Sequence, residues 1–479
     1  MVVLMICSMS LLIVGLDTTI VNVALPSIHR SLHASVSGLQ WTIDAYTLTI
    51  ASLLMLSGST GDRVGRKRVF QTGLIVFTLG SGLCAFAPSL NALIAARVLQ
   101  AIGGSMLNPV AMSIIRNVFE DPRERAQAIG IWGAMIGISM SLGPIVGGAL
   151  VDTAGWRWVF VINLPVGALA LALTTLFVPE SRAEHARRFD PIGQLLVIAA
   201  LASLTYAIIE GHGYGWSSAA ILGLFSFSAL TFAALVAYEL RRDEPLLEMR
   251  FFLSAPFSGA SAIAVCAFAG LGGFLFLNTI YLQDVRHLSP FHAGLYTLPI
   301  AAMMLIFAPI SGRITGRRGA RLPLVTAGLA LMISPLLLTG LDPTTPMWLL
   351  FLSYLTFGVG FGMVNAPITN TAISGMPPAQ AGVAAAVAST SRQVGQTLGV
   401  AVIGAVAGAG AANAFGPGFA AATHPGWWII FGLAAGVLVL GVLTTTDWAL
   451  GTASATAARL MPARAPRVHD EPVAPASAA

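Results

Sequence analysis

Charge is scarce in this chain: of 479 residues, 9% are Asp, Glu, Lys or Arg and 56% are hydrophobic, where an ordinary soluble domain carries roughly 25% charged residues. A water-soluble protein of that length would have too little polar side chain to cover its surface. Cysteine is nearly absent as well. Cys7, Cys84 and Cys266 stand far apart inside apolar runs, so neither a disulfide framework nor a zinc site has a spacing to rest on. They read as lipid-facing residues or core fillers. The sequence has no Gly-rich phosphate loop, no His/Glu pair at helical spacing, and no polar loop longer than about twenty residues. Together these absences exclude ATP-driven work by this chain alone, intramembrane metal hydrolysis and a soluble sensory domain. No cofactor or metal is expected.

Apolar runs of membrane-spanning length, broken by short polar segments, fill the chain from end to end. In hydrocarbon every backbone polar group must be satisfied within the protein, so such a chain folds as a helical bundle. The 50 glycines and 26 prolines, damaging in soluble helices, suit close-packed and kinked membrane helices. Apolar windows predict fourteen spans, near 3–26, 39–58, 69–87, 90–113, 126–150, 157–178, 191–210, 218–239, 256–282, 292–312, 322–341, 346–370, 380–410 and 426–447. The Ala/Gly-rich stretch 380–410 gives the weakest signal. The first run extends past Asp17 to Pro26 and is too long for a cleaved signal peptide. Because no basic arm precedes it, a start upstream is expected, which the intact mass of the native protein would settle.

Basic residues test this count independently, since short cytoplasmic loops collect Lys and Arg. With both termini placed inside, the inner loops and tail hold 20 of the 25, in clusters such as Arg63, Arg66, Lys67 and Arg68, or Arg313, Arg317, Arg318 and Arg321. The outer loops keep Arg30, Arg157 and Arg286, and Arg97 and Arg392 fall inside spans. The net charge of +5 is therefore a topology signal, and no nucleic-acid partner is expected.

The chain also repeats itself. Gly61-Asp-Arg-Val-Gly65-Arg66-Lys67 after span two matches Gly312-Arg-Ile-Thr-Gly316-Arg317-Arg318 after span ten. Likewise Gly103-Gly-Ser-Met106-Leu-Asn108 in span four matches Gly360-Phe-Gly-Met363-Val-Asn365 in span twelve. The expected architecture is an all-α membrane protein of two six-helix bundles, 1–180 and 251–450. Two inserted helices lie within 181–250, and 451–479 forms a cytoplasmic tail without structure. Two such bundles can rock about a central site.

Several polar residues lie where hydrocarbon makes them costly. Asp17, in Leu16-Asp17-Thr18-Thr19 of span one, carries a cost of roughly 2.5–3.5 kcal/mol, which calls for a partner or a use. Asp44 in span two and Arg97 in Arg97-Val-Leu-Gln100-Ala101 of span four sit, with Asp17, roughly 8 to 13 Å below the outer helix ends, so the three can share one layer. Two acids and one base leave an excess negative charge for which protons and a cationic substrate can compete. Gly133 and Gly137 in span five precede Gly143-Pro144-Ile-Val-Gly147-Gly148, a kink beside a smooth stripe for close helix packing. Ser389, Arg392, Gln393 and Gln396 share one face of span thirteen, and Asn22, Asn278, Tyr281 and Asn365 are candidates to line a cavity with them. Trp156, Arg157 and Trp158 read as an interfacial anchor.

In these motifs the chain resembles the major facilitator superfamily, specifically its fourteen-helix drug/proton antiporters, over nearly its whole length. The resemblance implies a conformational latch in Gly58, Asp62, Arg63, Gly65, Arg66 and Lys67, with Asp62 near the start of span thirteen. It implies a part in proton transfer for Arg97 beside a carboxylate. It also marks Gly137, Gly143, Pro144, Gly147 and Gly148 as a stretch found in antiporters. Ala101 and Ser139 stand where that family usually has glycine. The implied activity is proton-coupled export of small amphiphilic drugs or antibiotics by a monomer in a bacterial inner membrane, with protons as the coupling ion; the alternative is import of a small metabolite. Arginine outnumbers lysine 24 to 1, which fits a high-GC bacterial source.

Overall fold

The computed structural model describes residues 1–183, 189–242, 245–374, 376, 380–410 and 418–460, and among them every regular element is helical. The first half comprises α1 (Val2–Leu32), α2 (Val36–Val64), α3 (Arg66–Ala85), α4 (Leu90–Val118), α5 (Pro122–Thr153), the short α6 (Trp158–Val161) and α7 (Asn163–Phe177). An inserted pair follows, α8 (Pro191–Tyr214) and α9 (Ala219–Glu239). The second half holds α10 (Ala255–Ile280), which runs on into a π-helical turn Tyr281–Val285, then α11 (Pro290–Tyr296), α12 (Leu298–Arg318), α13 (Arg321–Leu336), α14 (Met347–Ile373), α15 (Ala381–Gly410), α16 (Gly418–Ala422), α17 (His424–Leu443) and α18 (Asp447–Leu460).

Local chemistry sets many of these boundaries. The Ser35 hydroxyl accepts the Gly38 N–H at 3.1 Å, and Ser89 does the same for Ala92 at 3.3 Å, satisfying donors that a helix start leaves free. Gly65 turns the chain between α2 and α3 at φ 127°, a backbone state that favours glycine, and a Cβ there would lie 2.8 Å from the Glu180 carboxylate.

Among the described residues, eleven helical stretches are long and apolar enough to cross a membrane. The fourteen predicted windows include these. Of the other three, α13 has 16 residues, and α2 and α15 are diluted by polar side chains turned toward other helices. The stretch 380–410, weak in sequence, is one helix of 30 residues from Ala381. The tail needs correction: 451–460, expected to lack structure, belongs to α18, whose Ala449, Ala453 and Thr456 are buried on one face. Residues 461–479, with Arg464 and Arg467, lie outside the described residues, as do Arg187 and Arg188.

Within each half, helices meet through small residues. A Cβ on Gly103 would strike the Phe77 and Gly73 backbone of α3, and one on Gly360 would lie 2.9 Å from the Leu331 nitrogen of α13. The repeated glycine thus faces the preceding helix in both halves. The halves themselves join through α2 on α15, α5 on α11 and α12, and α1 on α10, while α8 packs against both α2 and α15. These contacts gather at the end that carries the α1–α2 turn. There Arg30 pairs with Asp284 at 3.2 Å, the Phe291 N–H donates to Asp152 at 2.9 Å, and Gln283 donates to the Val23 carbonyl at 2.9 Å. Toward the other end Gly130, Gly133, Gly137, Gly312 and Gly316 face open space. The hydrogen bonds and ion pair that close the bundle between its halves thus lie at one end of it.

Candidate functional site

Four helices of the first half converge on Asp17, which has no exposed surface. The Arg97 Nη1 donates to its Oδ2 at 2.5 Å; Gln100 Nε2 and Asn163 Nδ2 donate to its Oδ1 at 2.8 and 3.0 Å. Ser81 ties the amides together, accepting from Gln100 at 3.2 Å and Asn163 at 3.0 Å while donating to the Phe160 carbonyl at 2.9 Å. Arg97 is 1% exposed. It also donates to the Gln100 side-chain oxygen at 2.7 Å and the Thr42 carbonyl at 3.1 Å, and it lies 4.0 Å over the Tyr46 ring. A buried ion pair repays its desolvation only when the remaining lone pairs and protons are also satisfied. Here both carboxylate oxygens are.

The placement follows from helical spacing. Arg97 and Gln100, three apart on α4, look the same way toward α1, while the break between α6 and α7 lets Asn163 begin a new helix pointed at the same spot. Sequence reasoning paired Arg97 with a carboxylate but gave Gln100 and Asn163 no role and passed over Ser81 and Tyr46. An amide in mid-membrane is a usable signal for the first two. A serine beside glycine, as at 81, carries none.

Asp44 does not join this cluster. Thr42 and Tyr46 carry the α2 face toward Arg97, which turns Asp44 onto the opposite face with Gln40 and Thr47, against α15. It is wholly buried, not near the surface as the sequence suggested; Thr47 donates to its Oδ1 at 3.4 Å, and its Oδ2 has no hydrogen-bond partner. Around it Gln40 Nε2 donates to the Val400 and Ala401 carbonyls at 3.1 and 2.8 Å, and Thr397 meets Thr47 at 2.9 Å. Asp44 therefore sits in the seam between the halves.

A cavity with about 40 Å³ of free volume lies between α1, α5, α10 and α12. Thr19 and Asn22 border it from α1, Met140, Ser141 and Pro144 from α5, and Leu275, Thr279 and Gln283 from α10 and its π-helical turn. Of the residues expected to line a common cavity, Asn22 borders this one. Asn278 instead accepts from the Tyr354 hydroxyl at 2.6 Å, and Tyr281 donates to the Asp342 carbonyl at 2.7 Å, both inside the second half. Arg392 reaches Thr369 at 2.5 Å; Asn365 donates weakly to Phe361 at 3.4 Å; the Gln393 carbonyl accepts from Thr397 at 3.1 Å; Gln396 is buried against Gly272.

In the 58–67 loop, Asp62 and Arg66 pair at 2.9 Å. The Asp62 carbonyl accepts from Ala183 at 3.0 Å, the Arg66 N–H donates to the Ser181 carbonyl at 2.9 Å, and Glu180 accepts from the Lys67 N–H at 3.0 Å. Gly58 lies beside Pro109, and Arg63 is exposed. In this conformation the loop is thus fastened to the segment that follows α7. The α5 stripe divides in two: Gly143 and Gly147 press on Thr19 and Ile20, Gly148 on Pro290 and Phe291, while Gly137 is free. The Pro144 carbonyl lies against Gly294.

Residues 7–400 match the Major Facilitator Superfamily. The chain is 38% identical over 398 residues to the multidrug resistance protein Stp of Mycobacterium tuberculosis, covering 83% of this chain and 74% of that one. It is 35% identical to the tetracenomycin C resistance and export protein of Streptomyces glaucescens, covering 87% and 78%. To the puromycin resistance protein pur8 of Streptomyces alboniger it is 34% identical, covering 94% and 93%. Among solved structures, a D-xylose–proton symporter superposes with a TM-score of 0.66 at 16% identity, covering 93% and 97%. An inward-facing, occupied bacterial homologue of the lysosomal transporter Spinster gives 0.64 at 18%, covering 96% and 98%. At those identities the likeness is one of fold. The chain is a multi-pass membrane transporter rather than an enzyme, and it belongs to the Major Facilitator Superfamily.

Proposed function

We propose that this chain is a fourteen-span, proton-coupled exporter of small amphiphilic drugs or antibiotics, working as a monomer in a bacterial cytoplasmic membrane with both termini inside. The span count is supported by α2, α13 and α15, which occupy the places where alternation of basic loops requires a crossing. With the basic loops inside, the closed end of the bundle is the outer one and the conformation faces inward.

The observation that carries this reading is the buried Asp17–Arg97 pair, in a chain whose relatives are named for drug and antibiotic resistance. A proton placed on Asp17 Oδ2 removes the charge opposing Arg97, while Gln100, Thr42 and the Tyr46 ring still hold the guanidinium. The same helix presents Thr19 and Asn22 to the cavity and Thr19 and Ile20 to the α5 glycines. A change of charge at Asp17 is thereby felt by the wall that meets substrate. No cofactor other than the proton is required.

The direction of transport is the part an importer would reverse, since the D-xylose–proton symporter shares the fold. Everted vesicles loaded with an acid-inside gradient decide it. Addition of puromycin or of an uncharged amphiphilic antibiotic should release protons and accumulate the compound. If no compound releases the gradient, proton-coupled export is wrong.

A further inference from the structure

The walls of the cavity between α1, α5, α10 and α12 have a one-sided hydrogen-bonding character. None of the residues bordering it is Asp, Glu, Lys, Arg or His. Two of them are amides from opposite halves. Asn22 gives one amide N–H to the Thr18 carbonyl at 2.9 Å, and Gln283 gives one of its own to the Val23 carbonyl at 2.9 Å. Flipping either amide would set oxygen against oxygen, so the network fixes both orientations. Each amide keeps a second N–H, and the Asn22 Oδ1 and the Gln283 Oε1 are both buried and both without a hydrogen-bond partner; the residues are 4% exposed each. An unsatisfied buried acceptor is costly to keep.

The hydroxyls around them are committed in the same sense. Thr19 donates to the Leu16 carbonyl at 3.1 Å, Ser141 to Gly137 at 2.8 Å and Thr297 to Gly294 at 2.8 Å, so their protons are spent within the protein. Pro144 has no N–H to offer the Met140 carbonyl one turn earlier. Thr279 alone keeps an uncommitted hydroxyl proton. The rest of the lining is Val, Leu, Ile, Met and Ala. Such a wall offers more hydrogen-bond acceptors than donors. An anion finds no positive charge there, and a full cation finds carbonyl dipoles but no opposing charge, because the Asp17 carboxylate is already saturated by Arg97, Gln100 and Asn163.

We propose that this cavity is the substrate site and that it selects uncharged amphiphiles bearing hydroxyl or amide N–H donors, held between Asn22 Oδ1 and Gln283 Oε1, over lipophilic cations. The inference rests on the export reading and sharpens its substrate class. It also departs from the sequence expectation that a cationic substrate competes with protons for the same carboxylates.

The test uses one fluorescent body with three endings: 9,10-bis(hydroxymethyl)anthracene, its dimethyl ether, and (9-anthrylmethyl)trimethylammonium. Uptake into everted vesicles is compared with vector-only vesicles, with puromycin as a transport control. The diol should move about tenfold faster than the ether, the worth of one to two buried hydrogen bonds, and the ammonium no faster than the ether. Asn22→Leu and Gln283→Met should draw the diol-to-ether ratio toward one, whatever change each makes in the ether rate itself. Binding of each probe to purified protein in nanodiscs, read by anthracene fluorescence, gives the same ratio independently of turnover. Equal rates for diol and ether, a faster ammonium, or variants that lose both neutral probes in proportion overturn the inference. If puromycin moves and no anthracene moves or binds, the inference falls while export stands. If nothing moves and no protons are released, export falls as well.

Discussion

Replacing Asp17 by Asn is the sharpest perturbation of the buried cluster, because it changes the charge and almost nothing of the shape. The Asn oxygen can still accept from Gln100 and Asn163, which stand at 2.8 and 3.0 Å from Asp17 Oδ1. Its NH₂, however, replaces the oxygen that Arg97 Nη1 contacts at 2.5 Å, setting donor against donor. Arg97, 1% exposed, becomes a buried cation with no counter-charge. Breaking a buried pair from one side costs about 3–5 kcal/mol. The Tyr46 face at 4.0 Å softens this by about 2 kcal/mol at most, but it is present before and after, so most of the penalty should appear. Adding Arg97→Gln removes the orphaned charge, and the double variant should regain most of that loss. Unfolding followed by tryptophan fluorescence in nanodiscs, together with substrate-driven proton release in everted vesicles, separates the two roles. The single variant should be destabilised and uncoupled. The double variant should recover stability and remain uncoupled. A double variant no more stable than the single one would refute the electrostatic account, and Asp17→Asn with full coupling would refute the proton role.

Gly80→Ala should cost at least about 1–3 kcal/mol by overpacking, since its Cβ would lie 2.5 Å from the Gln100 backbone; lowered thermal stability and impaired coupling should appear together. Gly137→Ala should fold as well as the parent or better by up to about 1 kcal/mol, because nothing lies within 4 Å of the added methyl, yet transport should fall, since the inner half of α5 must pack when the inner end closes. Gln40→Leu removes two hydrogen bonds to the Val400 and Ala401 carbonyls, each worth about 0.5–1.5 kcal/mol; electron-spin distances between α2 and α15 should shift toward the outward-open population. Asp44→Asn keeps an acceptor for Thr47 and imitates a protonated acid in the seam, so the fold should persist while exchange between the two facing states slows, as read by single-molecule distance measurements.

The bundle itself was legible in hydropathy and in the alternation of basic loops, because the bilayer imposes both rules on the chain directly. Even 380–410 lies where its composition placed it, as α15. Partnership was less legible. Depth along a helix puts Asp17, Asp44 and Arg97 in one layer, but azimuth decides contact, and two residues along α2 turn Asp44 away from Arg97. The same limit explains Asn278 and Tyr281: their helix was foreseen as lining a cavity, and it does, but through Thr279 and Gln283 on its neighbouring face. The tail was misread because alanine-rich composition reads as featureless until Ala449, Ala453 and Thr456 find a surface to bury against.

These placements bear on how coupling is built. Asp17 is satisfied by three donors from its own half, so on the proposed reading a proton arriving there acts first on α1. Asp44 and Gln283 stand in the seam, where Thr397 meets Thr47 and Gln283 donates to the Val23 carbonyl across the halves. On the proposed reading, a proton site inside one bundle and a substrate site divided between two are joined by the helix they share. That helix is α1, with Asp17 on one face and Thr19 and Asn22 on another. Separation of the carboxylate from the cavity therefore predicts that a neutral substrate can be driven as well as a charged one, since the driving charge never has to leave the protein with it.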